Sequence, residues 1–449
     1  MTKTPFPVTP NEWHLRVLLL AWPIILSNLS VPLVGIVDTA VVGQIPDPKY
    51  MASVAVGATI FSSVFWIFGF LRMGTTGFVS QALGADNQLE VAQSLLRAII
   101  IALLLSLTVI ALQYPIASAA LGLMNPGETL EPIVTEYFHI RIYSAPATFI
   151  NYCILGCLIG LQRMRLALVL QLLLNGSNLL LDVLFVLYFG MDADGVALAS
   201  LISDYIACFA GLWFLRAYIT LAFQQKISPV FRWLLALFPP DKLKALFEVN
   251  GNLFIRTLFL SGAFFFFTSR SAQFGVVVLA ANAILINLLH MLAYGLDGFA
   301  QAAESLTGEA FGAKNRQAFR QAVKSSTILA GIMACGIAVL YAIFGVSIIN
   351  SMTVNPEVVT TAIQYLPWLI AAPLISVWSY QFDGIYTGAM ATAAMRNTVL
   401  FSTIVYVALV YVLTPWMGNH GLWLSMMLFL ALRGISLWFA YPNLLKSQS

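Results

Sequence analysis

The chain has 449 residues, of which 60% are apolar and only 9% carry a charged side chain. Soluble domains carry about 25% charged residues, so this composition excludes a water-soluble globular protein and indicates an integral membrane protein. The apolar runs are long and continuous, which excludes an alternating β-barrel. The net charge is +3, and without a basic stripe outside the membrane flanks it argues against a nucleic-acid partner.

Apolar length and breaker residues predict an all-α protein with twelve transmembrane helices. Lys and Arg are concentrated in the loops on one side of these helices, which places both termini in the cytoplasm. The predicted spans are 15–42, 51–80, 92–113, 133–160, 166–190, 195–220, 243–270, 276–307, 319–346, 360–388, 397–417 and 420–444.

The two halves of the sequence are related by a shift of 228 residues, which aligns Gly156 with Gly384 among other matches. Six spans return the chain to its starting side, so the halves are predicted to be parallel repeats about a pseudo-two-fold axis along the membrane normal. We predict six-helix lobes at 1–220 and 243–449, joined by a cytoplasmic connector at 221–242. Two such lobes suit alternating access, and a duplicated scaffold or channel is the alternative.

The first span carries a carboxylate, Asp38, in an otherwise apolar stretch. An ionised Asp at the centre of a membrane helix costs about 3 kcal/mol on insertion scales. Such an acid usually faces a partner or a watery cavity, so we predict that Asp38 couples transport to an ion. The alternative is a carboxylate held by neighbouring hydroxyl groups for packing alone.

Further polar residues are expected at a similar depth in spans 5 and 6. Asn175, Asn178 and Asp182 have the spacing i, i+3 and i+7, which places them on one helix face. Ser200 and Asp204 are four residues apart on the next span. A desolvated site of this kind favours a protonated carboxyl group, and the same oxygen atoms could instead replace the water around Na⁺. The residues alone leave H⁺ and Na⁺ open.

Span 4 adds Arg141 and Asn151 to this predicted convergence. Pro23 and Pro32 in span 1 each remove a backbone hydrogen bond and permit a bend. A bend that follows protonation of Asp38 would form a gate, and a static bend is the alternative.

The second half of the chain does not repeat the acid. Phe266 stands where the shift of 228 residues would place a copy of Asp38. Ion coupling is therefore predicted for the first lobe. Asp297, Glu304 and Asp383 are further acids of the second lobe. For Asp383 we favour pairing with Arg256 and Arg433, and a cationic substrate is the alternative partner.

Four stretches of the chain, taken together, form a characteristic sequence pattern. They are LAWPIILSNLSVPLVGIVDTAVVGQ (20–44), LRMGTTGFVSQALGADN (71–87), YGLDGFAQAAESLTGEAFGAKN (294–315) and FDGIYTGAM (382–390). With them the chain resembles the multidrug and toxic compound extrusion (MATE) transporters, in particular their DinF-like branch, across essentially all twelve spans. The resemblance implies the MATE fold and an antiporter that exports lipophilic, often cationic, small molecules.

The resemblance also implies roles for individual residues. In related transporters an Asp followed by Thr in span 1 couples to the ion, here Asp38 and Thr39, and Pro23 matches the proline that bends. The span 5 pattern falls on Asn178 and Asp182, and the span 6 hydroxyl group on Ser200, where Thr is more usual. The predicted ion-coupling residues, which would also hold Na⁺, are Asp38, Asn178, Asp182 and Ser200. The predicted substrate-cavity residues are Asp38, Thr39, Asn151, Asn175, Asn178 and Asp204, with Pro23 as the hinge.

Some sodium-coupled members use an acid in span 7 that has no clear counterpart here, which favours H⁺ over Na⁺. We therefore predict a proton-coupled efflux antiporter, monomeric in the bacterial inner membrane, with no cofactor besides its coupling ion. A lipid-linked flippase of the same superfamily is the alternative. An intramembrane enzyme is disfavoured because the four histidines lie on separate segments.

Overall fold

The computed structural model describes residues 5–45, 47–223 and 236–446, and the side chains of 33, 34 and 36–40 lie outside this description. The predictions for Asp38, Thr39 and most of the connector therefore lie outside the described residues. Within the described ranges the chain forms helices and no strand. The all-α prediction is confirmed for these residues.

Sixteen α-helices occur in the described part of the chain. In the first half they are α1 Pro10–Val42, α2 Pro48–Ile67, α3 Phe70–Gly84, α4 Gln88–Ala111, α5 Gln113–Met124, α6 Glu131–Arg141, α7 Ala145–Gly160, α8 Met164–Asp182, α9 Ala193–Phe214 and α10 Arg216–Phe223. In the second half they are α11 Pro240–Ser271, α12 Val276–Gly312, α13 Arg316–Met352, α14 Pro356–Gly388, α15 Thr392–Met417 and α16 Asn419–Lys446.

Twelve helical segments among the described residues are long and apolar enough to span a membrane, which confirms the predicted number. Four of the spans contain a change of helix type or a break, the seventh because α11 is followed by a 3₁₀ turn at Ala272–Phe274. The second joins α2 and α3, the fourth passes from α6 to α7 through a 3₁₀ turn at Ile142–Ser144, and the fifth continues from α8 into a π-helix at Val183–Tyr188. The extra helix α5 lies between two predicted spans, and its twelve residues are too few to span a membrane.

The first helix begins at Pro10, five residues before the predicted start, for a local reason. The Thr9 hydroxyl group accepts a hydrogen bond from the backbone N–H of Glu12, and the Glu12 carboxylate accepts one from the backbone N–H of Thr9. This reciprocal capping satisfies backbone donors that have no partner inside the helix, and Pro10 suits the first helical position. The helix then continues through Pro23 and Pro32 to Val42.

The chain divides into two compact units, which are described separately. The N-terminal unit comprises Leu26–Leu83 and Asn87–Leu246, and the C-terminal unit comprises Met1–Ile25, Gly84–Asp86 and Phe247–Ser449. The contacts of α1 thus pass from one unit to the other between Ile25 and Leu26. The lobe boundaries in the sequence stay a prediction, because residues 224–235 of the connector lie outside the described part of the chain.

A matched close contact inside each unit reproduces the internal repeat. In the N-terminal unit a Cβ atom on Gly156 would lie 2.4 Å from the carbonyl oxygen of Arg72. In the C-terminal unit a Cβ atom on Gly384 would lie 2.1 Å from the carbonyl oxygen of Ala300. Both residues of the first contact are 228 positions before their counterparts in the second. Glycine is needed at both places because it allows two membrane helices to pack backbone against backbone.

Candidate functional site

The predicted polar face of α8 contacts α9 in the N-terminal unit. The Asn178 Nδ2 donates a hydrogen bond of 3.3 Å to the Ser200 Oγ. Asp182, one turn further along α8, is fully buried, with 0% relative exposure. The spacing of four residues between Asn178 and Asp182 places them on one face of the helix. An amide, a hydroxyl group and a buried carboxyl group thus belong to one pair of helices.

A second amide on α8 contacts α1. The Asn175 Nδ2 donates to the Ser30 Oγ at 2.6 Å, and the Ser30 hydroxyl group donates to the carbonyl oxygen of Ser27 at 2.6 Å. Gln171 donates from its Nε2 to the Asn175 Oδ1 at 3.1 Å. This chain of hydrogen bonds connects the part of α1 that belongs to the N-terminal unit to the same helix that carries Asp182.

Asp182 is the last residue of α8 before the π-helix at Val183–Tyr188. A π-helical turn has one residue more per hydrogen-bonded ring than an α-helix, and such turns occur frequently at functional sites. The change of register alters the direction of the side chains that follow Asp182. The local backbone is therefore unusual next to the acid that sequence analysis selected.

Asp204, predicted for the substrate cavity, forms an ion pair with Arg141. The Asp204 Oδ2 accepts from the Arg141 Nη1 at 2.6 Å and from the Thr148 Oγ1 at 3.0 Å. The guanidinium group also lies 5.9 Å from the ring centre of Phe61 and 6.0 Å from that of Phe65. Carboxylate, hydroxyl group and aromatic faces together stabilise a cation inside the membrane-spanning part of the unit.

Asn151 donates from its Nδ2 to the backbone carbonyl oxygen of Asp204 at 2.9 Å. Its own Oδ1 is buried and has no hydrogen-bond partner among the described residues. Ser200 and Asp204 are one turn apart on α9. The predicted residues therefore form two groups, one around Asn178 and Ser200 and one around Asp204 and Arg141.

Three side chains of these groups were not predicted. They are Ser30 on α1, Gln171 one turn before Asn175 on α8, and Thr148 on α7. The spacing of four residues from Asn175 could have indicated Gln171, since it places both on one face of α8. Ser30 and Thr148 contact residues on other spans, and no pattern within one helix indicates such partners.

Among the described residues no group of three or more His, Cys, Asp or Glu side chains is arranged to hold a metal ion. The Na⁺ prediction involves Asp38, whose side chain lies outside the described residues, so that prediction stays open. Pro23 is a buried residue of α1, two positions before Ile25, where α1 leaves the C-terminal unit.

Asp383 in the C-terminal unit has the partners that we favoured. Its Oδ2 accepts a hydrogen bond from the Arg256 Nη2 and another, of 2.6 Å, from the Arg433 Nη2. Arg256 belongs to α11, Asp383 to α14 and Arg433 to α16. The prediction that both arginines pair with this acid is confirmed. Two cations therefore share one carboxylate among the membrane-spanning helices of this unit.

The other two acids of this unit differ in exposure: Glu304 is 2% exposed, and Asp297 is half-buried. The positions that correspond to Asn178 and Asp182 hold Tyr406 and Val410, both fully buried. The Tyr406 ring packs against Phe266 with ring centres 5.9 Å apart. In the C-terminal unit, aromatic and aliphatic packing thus replaces the polar face of α8.

Comparison with known proteins identifies the family. The MatE family model matches residues 23–184 and 253–412, one segment in each half of the chain. The chain is 36% identical to DNA damage-inducible protein F of Escherichia coli strain K12 over 425 residues, covering 95% of this chain and 90% of that protein. It is 22% identical to a probable multidrug resistance protein NorM of Bacillus subtilis strain 168, with 95% of each chain covered.

The fold agrees with solved structures. The chain superposes on the Vibrio cholerae MATE transporter VcmN in its bent form with a TM-score of 0.83, at 20% identity and with 98% of each chain covered. This likeness confirms the predicted MATE fold, and the family match confirms a transporter rather than an enzyme. The chain therefore belongs to the MatE family of multidrug efflux transporters.

Proposed function

We propose that this protein is a cation-coupled efflux antiporter that exports lipophilic and cationic small molecules from a bacterial cell by alternating access. It would lie in the inner membrane as a monomer with both termini in the cytoplasm, and H⁺ rather than Na⁺ would drive it. The observation that carries the proposal is the polar face of α8, where Asn178 bonds Ser200 next to the buried Asp182.

Asp38 completes this site in the proposal. The internal repeat supports its position, because Phe266 and Tyr406 correspond to Asp38 and Asn178 and are in ring contact in the C-terminal unit. By this correspondence we propose that Asp38 acts close to Asn178 and Asp182 at one site. Two carboxyl groups so close would share a proton and titrate as a unit. Entry of one H⁺ would then neutralise the pair.

Bending of α1 would connect protonation to transport. Two observations support Pro23 as the hinge: α1 passes between the compact units just after this residue, and Ser30 in the following segment bonds to Asn175. Neutralisation of Asp38 would remove a charge that favours polar neighbours. The segment after Pro23 could then exchange its contacts with α8, and the missing backbone hydrogen bond at proline makes a bend less costly.

The substrate would occupy the polar interior of the N-terminal unit. We place Thr39, Asn151, Asn175 and Asp204 along its cavity together with the coupling residues. Because Arg141 already neutralises Asp204, this acid would orient the substrate by hydrogen bonding instead of presenting a free negative charge. A lipophilic cation would then compete with H⁺ for the carboxyl groups at Asp38 and Asp182.

The location of ion coupling in the N-terminal unit is supported by the chemistry of span 7. The central part of this span carries Arg256, and its partner Asp383 also accepts from Arg433. A carboxylate that already has two cationic partners is a poor ligand for Na⁺. Ion coupling by the C-terminal unit is therefore disfavoured, which leaves the proposed pair in the N-terminal unit.

A lipid-linked flippase remains the second candidate. Such a protein needs a cationic cavity for a phosphate-bearing head group. Arg256 and Arg433 are buried cations of the required kind, but Asp383 offsets one of their two charges. A flippase would translocate a labelled lipid between leaflets without an ion gradient, whereas the proposed antiporter would not.

The test is efflux of ethidium from proteoliposomes that contain the full chain and carry an imposed proton gradient. Wild-type protein should drive efflux, and Asp38→Asn should reduce it to the level of empty liposomes. Asp86→Asn is the matched control, because Asp86 is exposed and its positive φ of 54° suits asparagine. Unchanged efflux by Asp38→Asn would contradict the proposal.

A further inference from the structure

The C-terminal unit contains a buried charge cluster that the proposed ion coupling does not use. We define the arginine triad as Arg256, Asp383 and Arg433. These three residues are 8%, 6% and 2% exposed, respectively, so each is more than nine-tenths buried. We propose that the arginine triad binds an oxyanion, in particular the carboxylate of an amphipathic substrate. This inference rests on the proposed efflux function and extends its substrates from cations to zwitterions and anions.

The charge of the triad is the first reason. Two guanidinium groups carry +2 and Asp383 carries −1, so the triad has an excess positive charge among helices that span the membrane. A buried charge without a counterion is unfavourable. Asp297 is also close to the triad, because Tyr380 lies within electrostatic range of Asp297 and of all three groups of the triad. Asp297 is only half-buried and therefore lies outside the fully buried triad.

The hydrogen-bond donors are the second reason. Both arginines donate a terminal nitrogen to the same Asp383 oxygen, Oδ2. The Nε of Arg256 and the Nε of Arg433 are buried and have no hydrogen-bond partner among the described residues. The Oδ1 of Asp383 is also buried without a hydrogen-bond partner among the described residues. The triad therefore has two unpaired donors and one unpaired acceptor. A water molecule could bond to these donors but could not neutralise the charge, whereas an oxyanion does both.

A row of polar residues leads toward the triad. Asn252 lies one turn before Arg256 on α11 and accepts a hydrogen bond of 2.7 Å from the Arg396 Nη1. The Asn252 amide also donates to the Thr392 hydroxyl group at 3.2 Å. Arg396 is half-buried, while Asn252 and Arg256 are buried. Cationic and amide groups therefore continue from the partly exposed Arg396 into the unit, as an anionic group would require.

Two dyes that differ only at a carboxyl group test the inference. Rhodamine B has a free carboxylate, and its ethyl ester is a cation with the same rings. The full-length protein in phosphatidylcholine nanodiscs should bind rhodamine B more tightly than the ester in fluorescence anisotropy titrations. Arg256→Gln should weaken rhodamine B binding by about tenfold, the effect of one lost charge-assisted hydrogen bond, and leave binding of the ester unchanged.

Arg316→Gln is the matched control, because Arg316 is exposed, and it should change neither affinity. If Arg256→Gln does not fold, wild-type protein still decides the matter by thermal unfolding, since rhodamine B should protect it more than the ester does. Equal binding and equal protection by the two dyes would overturn the inference. An equal loss of affinity for both dyes in Arg256→Gln would also overturn the inference, because it would indicate that the triad has a purely structural role.

Two further arms separate the alternatives. Nanodiscs with added phosphatidylglycerol should weaken rhodamine B binding if the oxyanion is a lipid head group, and should leave it unchanged if the oxyanion belongs to a soluble compound. Gradient-driven efflux of the ester tests the efflux function on its own. If the ester is exported but rhodamine B does not bind more tightly than the ester, the anion site alone is refuted. If the dyes bind but neither is exported, the antiporter is refuted.

Discussion

The equivalent helices of the two units carry side chains of opposite character. In the N-terminal unit α8 carries the amide of Asn178 and the acid Asp182, while the corresponding positions of the C-terminal unit are Tyr406 and Val410. The acid of the C-terminal unit, Asp383, is held by two arginines. One repeat thus keeps an acid on a polar helix face, where we propose that a cation is exchanged. The other repeat has an ion cluster of one acid and two arginines, and packed Tyr406 and Val410 at the positions of the polar face.

The largest difference should appear when the acid is removed from the N-terminal unit. Asp182→Asn should reduce gradient-driven ethidium efflux in proteoliposomes to background, because an amide neither binds nor releases the coupling proton. Val410→Ala changes the corresponding buried position of the C-terminal unit and should retain efflux. Retained efflux in Asp182→Asn, with the variant correctly folded, would mean that the two repeats do not divide their roles in this way.

The triad of the C-terminal unit should matter most for stability. Asp383→Asn leaves two buried guanidinium groups without their carboxylate and should lower the free energy of unfolding by about 3 to 5 kcal/mol. Denaturant titration of the purified protein in detergent measures this loss. The exposed control Asp86→Asn should change stability by less than about 0.5 kcal/mol. A loss as small as that of the control would show that the triad is not held together by Asp383.

The ion pair of the N-terminal unit offers a direct comparison with the triad. Arg141→Gln leaves Asp204 buried, but Thr148 still donates to its Oδ2, so we expect a smaller loss of about 3 kcal/mol. Asp204→Asn in the same chain should restore much of the lost stability, since no charge then remains unpaired. The same denaturant titration decides, and no recovery in the double variant would count against a paired Asp204.

The smallest effect concerns the hydrogen bond between Asn178 and Ser200. A double-mutant cycle with Asn178→Ala and Ser200→Ala should give a coupling free energy of about 0.6 to 1 kcal/mol, typical of hydrogen bonds between membrane helices. At the corresponding site of the C-terminal unit, a cycle with Tyr406 and Phe266 should report ring packing of similar size. Zero coupling between Asn178 and Ser200 would remove the contact on which the proposed site is built.

The helical framework could be predicted because membrane helices reveal themselves by apolar length alone. The spacing of Asn178 and Asp182 indicated one face of α8, and the choice of Arg256 and Arg433 as partners of Asp383 followed from the cost of unpaired buried charge. Pairings across spans were harder. Nothing within α1 or α8 indicates that Ser30 meets Asn175, because such contacts depend on how helices rotate against their neighbours.

The apolar pattern also does not predict local irregularities of the helices. The segment of α5 lies between two predicted spans, and its twelve residues are too few for a membrane span, so apolar length did not predict this helix. The π-helix after Asp182 depends on a shift of one residue in the backbone hydrogen bonds. Hydrophobicity is nearly the same before and after such a shift, so sequence periodicity does not reveal it.

Coupled ion flux tests the central proposal most directly. Proteoliposomes with the wild-type chain should be supplied with a substrate gradient, and internal pH and internal Na⁺ should be recorded separately. We predict that addition of ethidium moves protons across the membrane, that no Na⁺ moves, and that Asp38→Asn abolishes the proton signal. Substrate transport without movement of either ion, or an unchanged proton signal in Asp38→Asn, would contradict proton exchange by the N-terminal unit.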